Sequence, residues 1–262
     1  MRDGALRASE EKRRSRNSGV TTSDARGGRR PPYDLLVETS PQHKSTLVHV
    51  PELLGCVVYA RTTEDAVGET PLMIERYVAA LRRHGEKIAT RSPVTTRVAE
   101  LSEEGGFIGA GRFTSDLEPV SQAEVARFSR WLGWSREDLL EEVAAIPRKA
   151  LAAKPERGRP IRAILEHVLG ADKSYVYGAF GVTKSVGDPT NAALRGELDL
   201  EVALREERLA AVERLRGATP EERTRVRRGG ASLYTLRRML RAMLEHEWEH
   251  RVEIAARLAQ GT

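Results

Sequence analysis

Cysteine is nearly absent: Cys56 stands alone in 262 residues. No internal disulfide framework is therefore open to this chain, and a reducing compartment such as the cytoplasm is expected. Long apolar runs are absent too, so nothing reads as a membrane-spanning helix and no membrane partner is expected. Arg13 and Arg14 form a pair, but no apolar segment follows them, which speaks against an export signal. Excess charge is also missing once it is located. The formal net charge is +5, and residues 1–32 carry all of it, with nine Lys/Arg against four Asp/Glu. The rest holds 34 basic and 34 acidic residues, so the folded part offers no basic footprint. Nucleic acid is expected only through non-specific contact with the leader, whose composition reads as disordered.

What is present is a soluble, globular balance of 40% apolar and 31% charged residues. From Tyr33 the runs YDLLVE, TLVHV and GCVVYAR read as strands, and TTRVAEL and GFIGAGRF follow later. Between them, TTEDAVGETPLMIERYVAALRRHGE has helical period. Thr63 is placed to cap it, Gly85 to stop it and Pro71 to kink or break it. Residues 33–116 thus predict an α+β domain of roughly five strands and one main helix. Residues 121–262 read as an all-α four-helix bundle. Its first helix opens on the capping box Ser121–Glu124 and its second on Pro160. The third runs from Asp199 to Gly217, and the fourth from near Ser232. An irregular link is expected from about Gly181 to Leu198.

Histidines are few, at six, and their placement is informative. His43, His49 and His84 are scattered in the first domain and read as surface or strand residues without a role. His246 and His250 form H-E-x-x-H, a zinc-protease signature. The protease reading fails here, because only RVEIAARLAQGT follows His250 and a zincin draws its third ligand from downstream. Met239, Met243, His246, His250 and Ile254 recur every three or four residues, so both histidines continue an apolar face. Side chains four apart lie about 5–6 Å apart at Cβ, close enough to share one ion. His167 lies on the inward stripe of the second helix with Ile164, Ala171 and Tyr175, and is the natural third ligand. The other reading is three hydrogen-bonded core histidines, but burying three unpartnered imidazoles is costly.

The segments IRAILEHVLGADKSYVYG and LYTLRRMLRAMLEHEWEHRVEI resemble the DinB-like superfamily of metal-binding four-helix bundles. The resemblance implies Zn or Ni held by His167, His246 and His250, with open positions for water or substrate. It also implies transferase or isomerase chemistry with a low-molecular-weight thiol such as bacillithiol, mycothiol or glutathione. A thiol on such an ion ionises near neutral pH and can attack an electrophilic carbon, whereas water in its place gives a hydrolase. Glu247 has two readings, as a catalytic base toward the bound ligand or as a solvated helix charge like Glu245 and Glu249. Glu166 and Asp172 flank the first ligand and are candidates to support it. Tyr175 either lines the cofactor pocket or packs in the core.

The stretch LVHVPELLGCVVYARTTEDAVGETPLMIERYVAALRRHGEKI resembles a HicB-type domain, a degenerate RNase H-like unit, which implies an α+β fold of order β-β-β-α-β. It carries the P-E-L-x-G-C turn, the T-x-E-D-A helix start and a closing H-G-E. The DNA-binding helices of such antitoxins are missing, because the bundle takes their place. Cys56 reads as a small buried hydrophobe. The leading expectation is a metal-dependent thiol transferase or isomerase acting on a small electrophile. The alternatives are a hydrolase on the same triad and a non-catalytic regulator that binds a partner. A homodimer is also compatible with the pattern. Three imidazole ligands further predict metal loss below about pH 6, given a reference His pKa near 6.5.

Overall fold

The computed structural model describes residues 31–40, 44–89, 92–102, 109, 111–156, 158–229 and 232–259. Residues 1–30 of the basic leader, His43 and half of the GFIGAGRF run lie outside the described residues. The described part of that run, Gly109 and Gly111 to Phe113, is not in a strand. Pro31–Thr262 form one compact unit.

The unit opens with β1 (Tyr33–Thr39), β2 (Thr46–His49), a 3-10 turn (Pro51–Leu53) and β3 (Val57–Ala60). Helix α1 (Thr63–Arg83) then leads to β4 (Thr96–Ser102). The sheet order is β3-β2-β1-β4, antiparallel except for β1 against β4. The antiparallel pairs join strands that are neighbours in sequence, and the α1 crossover makes the parallel one possible. Gly55, at φ +102°, turns the chain out of the P-E-L-L-G-C segment. A Cβ there would meet the Tyr77 hydroxyl, which donates to the Leu54 carbonyl at 2.6 Å. The small mixed sheet with one helix is as the pattern predicts. The helix is capped by Thr62, one residue before the expected Thr63, and continues unbroken through Pro71.

A second 3-10 turn (Thr114–Leu117) precedes the helical region. That region comprises α2 (Gln122–Ala144), α3 (Arg148–Ala152), α4 (Ile161–Phe180), α5 (Lys184–Leu194), α6 (Leu200–Arg216) and α7 (Pro220–Thr224). A hairpin of β5 (Arg227–Gly229) and β6 (Ser232–Tyr234) leads into α8 (Leu236–Ala259). The Ser121–Glu124 box forms in both directions. Helices α2 and α4 each pack on α6 and α8. Three features depart from the expectation. The link after Gly181 contains α5, which forms despite Gly187 and Pro189 because Val186, Thr190 and Ala193 are buried. Helix α7 and the hairpin occupy the stretch after Gly217, so the last helix starts four residues later than expected.

The sheet, α1, α2 and α8 share one apolar cluster, with Val48, Ile74, Trp131 and Met243 among its members. A second cluster, with Leu139, Ile164, Leu204 and Ile254, fills the space between α2, α4, α6 and α8. Helix α8 is thus held from both sides, and the site is built on it. Among the described residues, no helix is long and apolar enough to cross a membrane.

Candidate metal centre

On α8, His246 and His250 are one turn apart, and α4, packed beside it, brings His167 to the same point. His246 Nε2 lies 3.0 Å from His167 Nε2 and 3.1 Å from His250 Nε2. One ligand atom from each of the three falls within 4.8 Å of the others. Two nitrogens bound to one tetrahedral ion at ~2.0–2.1 Å would stand roughly 3.3 Å apart, so the cluster needs little movement to close on an ion. Burial grades from exposed His167 to buried His250.

The electrostatics favour lone pairs over protons. Burial, then the neighbouring His250 and His167, push His246 down to about 3. Burial and the Arg159 guanidinium lower His167 as well. His250 Nδ1 sits 2.8 Å from Glu253 Oε2, an arrangement that turns Nε2 toward the triad. Hydrogen bonding to His250 holds the Glu253 carboxyl below its ordinary range. His246 Nδ1 is buried with no hydrogen-bond partner among the described residues. Three convergent imidazoles, one with an orphaned ring nitrogen, are a donor set that a divalent borderline metal takes. One contact competes: the Arg159 guanidinium approaches His250 Nε2 at 3.3 Å.

Beside His246 opens a cavity of about 600 Å³, between the sheet and the helices. Tyr175 lines it, with its ring centroid 5.9 Å from that of His246. His49, Glu245, Arg241 and Glu249 line it as well. The reading of Glu245 and Glu249 as solvated charges is therefore corrected, and His49 proves to be a buried partner. His49 Nδ1 lies 2.9 Å from Glu245 Oε2, and Arg241 joins Glu245 at 3.2 Å and Asp116 at 2.8 Å. Burial opposes protonation of His49, but Glu245 and Glu38 raise its pKa. The signal for this group was present in Arg238, Arg241, Glu245 and Glu249, a polar stripe at helical spacing beside the histidines.

Glu247 is fully buried rather than solvated. Arg136 and Arg208 bind its carboxylate and, although burial opposes ionisation, hold it down to about 2. It is not among the groups that share the ligand point. Asp172 is buried in the same network. Glu207 sits there too, its carboxyl pushed up to about 8 by burial and by Asp172. Glu166, by contrast, pairs with Arg162 near the surface. Cys56 is buried, and burial pushes its thiol up, which makes it inert. His84 pairs with Asp138 and stacks on Trp134.

Residues 132–254, a stretch that includes all three triad histidines, match the family model of the DinB superfamily. This helical part of the chain is DinB-like. No curated protein and no solved structure matches the chain.

Proposed function

We propose that the chain binds one divalent metal, Zn or Ni, through His167, His246 and His250. With it the chain catalyses transfer or isomerisation of a small electrophile, using a low-molecular-weight thiol. The observation that carries this reading is the convergence of three imidazole nitrogens within 4.8 Å, inside a part of the chain that matches the DinB superfamily. When bound, the ion would supply a Lewis-acid centre at which a thiol, or water, loses its proton near neutral pH. The chain does the rest. Exposed His167 leaves the ligand point reachable, and the adjacent cavity gives room for a small molecule. Tyr175 supplies a polar tip beside His246, and burial holds its hydroxyl protonated up to about 12. It is thus a hydrogen-bond donor at working pH. Glu247 is committed to two arginines and takes no part in proton transfer on this reading.

The β-β-β-α-β order supports a HicB-like reading of the N-terminal part. In that reading the sheet has been reused to wall the cavity, through Leu47, His49 and Val57. The test is elemental analysis of the purified chain beside His250→Ala, followed by turnover with and without thiol. One equivalent of metal, lost in the variant, together with thiol-dependent turnover is the expected result. Turnover without thiol would make the chain a hydrolase. Metal binding with no turnover would favour a regulator, and no metal at all would overturn the proposal.

A further inference from the structure

Two helices carry the triad, α4 and α8, and each has a buried carboxylate close to its histidine. Asp172 follows His167 by five residues, and Glu247 lies directly between His246 and His250 in sequence. The same two arginines hold both carboxylates. Arg136 on α2 donates to Glu247 at 2.5 Å and to Asp172 at 2.7 Å. Arg208 on α6 donates to Asp172 at 2.6 Å and to Glu247 at 3.1 Å. The arginines are also crossed, since Arg136 donates to the Leu204 carbonyl of α6 and Arg208 to the Leu132 carbonyl of α2. All four side chains are at most 3% exposed.

We infer that Arg136 and Arg208 form a clamp that fixes the spacing of α4 and α8 and the rotation of α8, and thereby sets the metal affinity of the triad. A residue advances about 100° round a helix. Once Glu247 is pinned toward α2 and α6, His246 and His250 are both turned toward α4. Stability alone is a poor reason for such a network, because apolar residues of similar volume commonly hold helices as well or better. An apolar contact tolerates a small rotation, whereas a forked guanidinium between two carboxylates does not. Arg136 and Arg208 are accordingly positioning residues that act through the backbone of α4 and α8. The inference rests on the metal reading of the triad.

The full chain is titrated with Zn²⁺ and with Co²⁺, whose visible absorption reports ligand geometry. Two variants accompany the wild type. Arg208→Lys keeps the charge and loses the fork. The pair Arg136→Met with Glu247→Leu removes one charge of each sign and leaves Arg208 on Asp172. Expected is a loss of metal affinity of about 10–100-fold in both, with an altered Co²⁺ band, while the double variant keeps the urea midpoint of the wild type. Wild-type affinity and spectrum in a folded double variant would overturn the clamp. If the double variant does not fold, Arg208→Lys decides by the same readout at a temperature where it is folded. A wild type that binds no metal removes the premise and the clamp with it. A metal-binding wild type with unaffected variants removes the clamp alone.

Discussion

Helices α4 and α8 carry two polar clusters of opposite character. The triad consists of three imidazoles, graded from exposed to buried, with one buried ring nitrogen left without a hydrogen-bond partner among the described residues. The network behind it sets Arg136 and Arg208 against Asp172, Glu207 and Glu247 in the interior. It is not fully satisfied, since Asp172 Oδ1, Arg208 Nε and both Glu207 carboxyl oxygens have no hydrogen-bond partner among the described residues. What separates the two clusters is charge and access. The first converges ring nitrogens on one point beside exposed His167, where a ligand can enter. The second sets guanidinium against carboxylate inside the fold, out of a ligand's reach. Neighbours on α8, His246 and Glu247, fall on opposite sides of that divide.

The sharpest way to break the comparison is to unbalance the paired cluster. Arg208→Leu leaves Asp172 and Glu247 facing Arg136 alone. The expected cost is about 3–5 kcal/mol of folding stability, read as a large drop in the urea midpoint. His167→Ala in metal-free protein is expected to cost under about 0.5 kcal/mol, because the residue is exposed. Equal losses from the two substitutions would mean that the triad too is part of the structural core.

Next in size is the response of the paired cluster to pH. Glu207 is raised from 4.5 to about 8 in the folded chain. The folded state therefore holds this proton more tightly than the unfolded chain does. Its contribution to stability is complete below pH 4.5 and is lost as pH rises through about 8. Metal-free protein should become less stable between pH 5 and 8 on this account, and Glu207→Gln should flatten that slope. An unchanged slope in the variant would show that Glu207 is ionised in the fold, paired with Arg136 at 3.5 Å.

The histidine cluster should respond to metal instead. At ligand concentrations near 100 times Kd, binding to the folded state adds about 2.7 kcal/mol. Wild type should show a gain of this size on adding Zn²⁺ and lose it with chelator, and His250→Ala should show neither. A gain retained in His250→Ala would place the ion elsewhere.

The two clusters were not equally legible in the sequence. The triad could be read because its logic is local: His246 and His250 stand one turn apart on an apolar stripe, and His167 lies on a similar stripe. The sheet and the long helices could be read for the same reason, since the hydrophobic period shows within each. Glu247 could not be placed, because its partners Arg136 and Arg208 lie 111 and 39 residues away. In their own helices they look like ordinary solvated charges. His49 was missed likewise, its partner Glu245 being 196 residues distant. Helix α5 was hidden by Gly187 and Pro189, whose local preference is overridden by burial against neighbouring helices. Period reports which face is buried, but not which buried charges will meet.

The smallest expected effect tests a charge set against the ligand point itself. Arg159 brings its guanidinium to 3.3 Å from His250 Nε2, on the side that faces the other two histidines. That contact occupies the lone pair an ion would need, and it places a positive charge beside a divalent one. Arg159 is only partly buried, so water screens much of the repulsion. The effect should resemble an exposed charge pair, about 0.2–1 kcal/mol. Arg159→Gln should therefore tighten Zn²⁺ binding roughly twofold to fivefold, and the gain should shrink as salt is raised. The Arg159 carbonyl that Arg257 uses is retained in the variant, so the loop keeps its anchor. Weaker binding in Arg159→Gln would reverse the assignment, because the arginine would then be holding His250 in position for the metal, as Glu253 does from the other side of the ring.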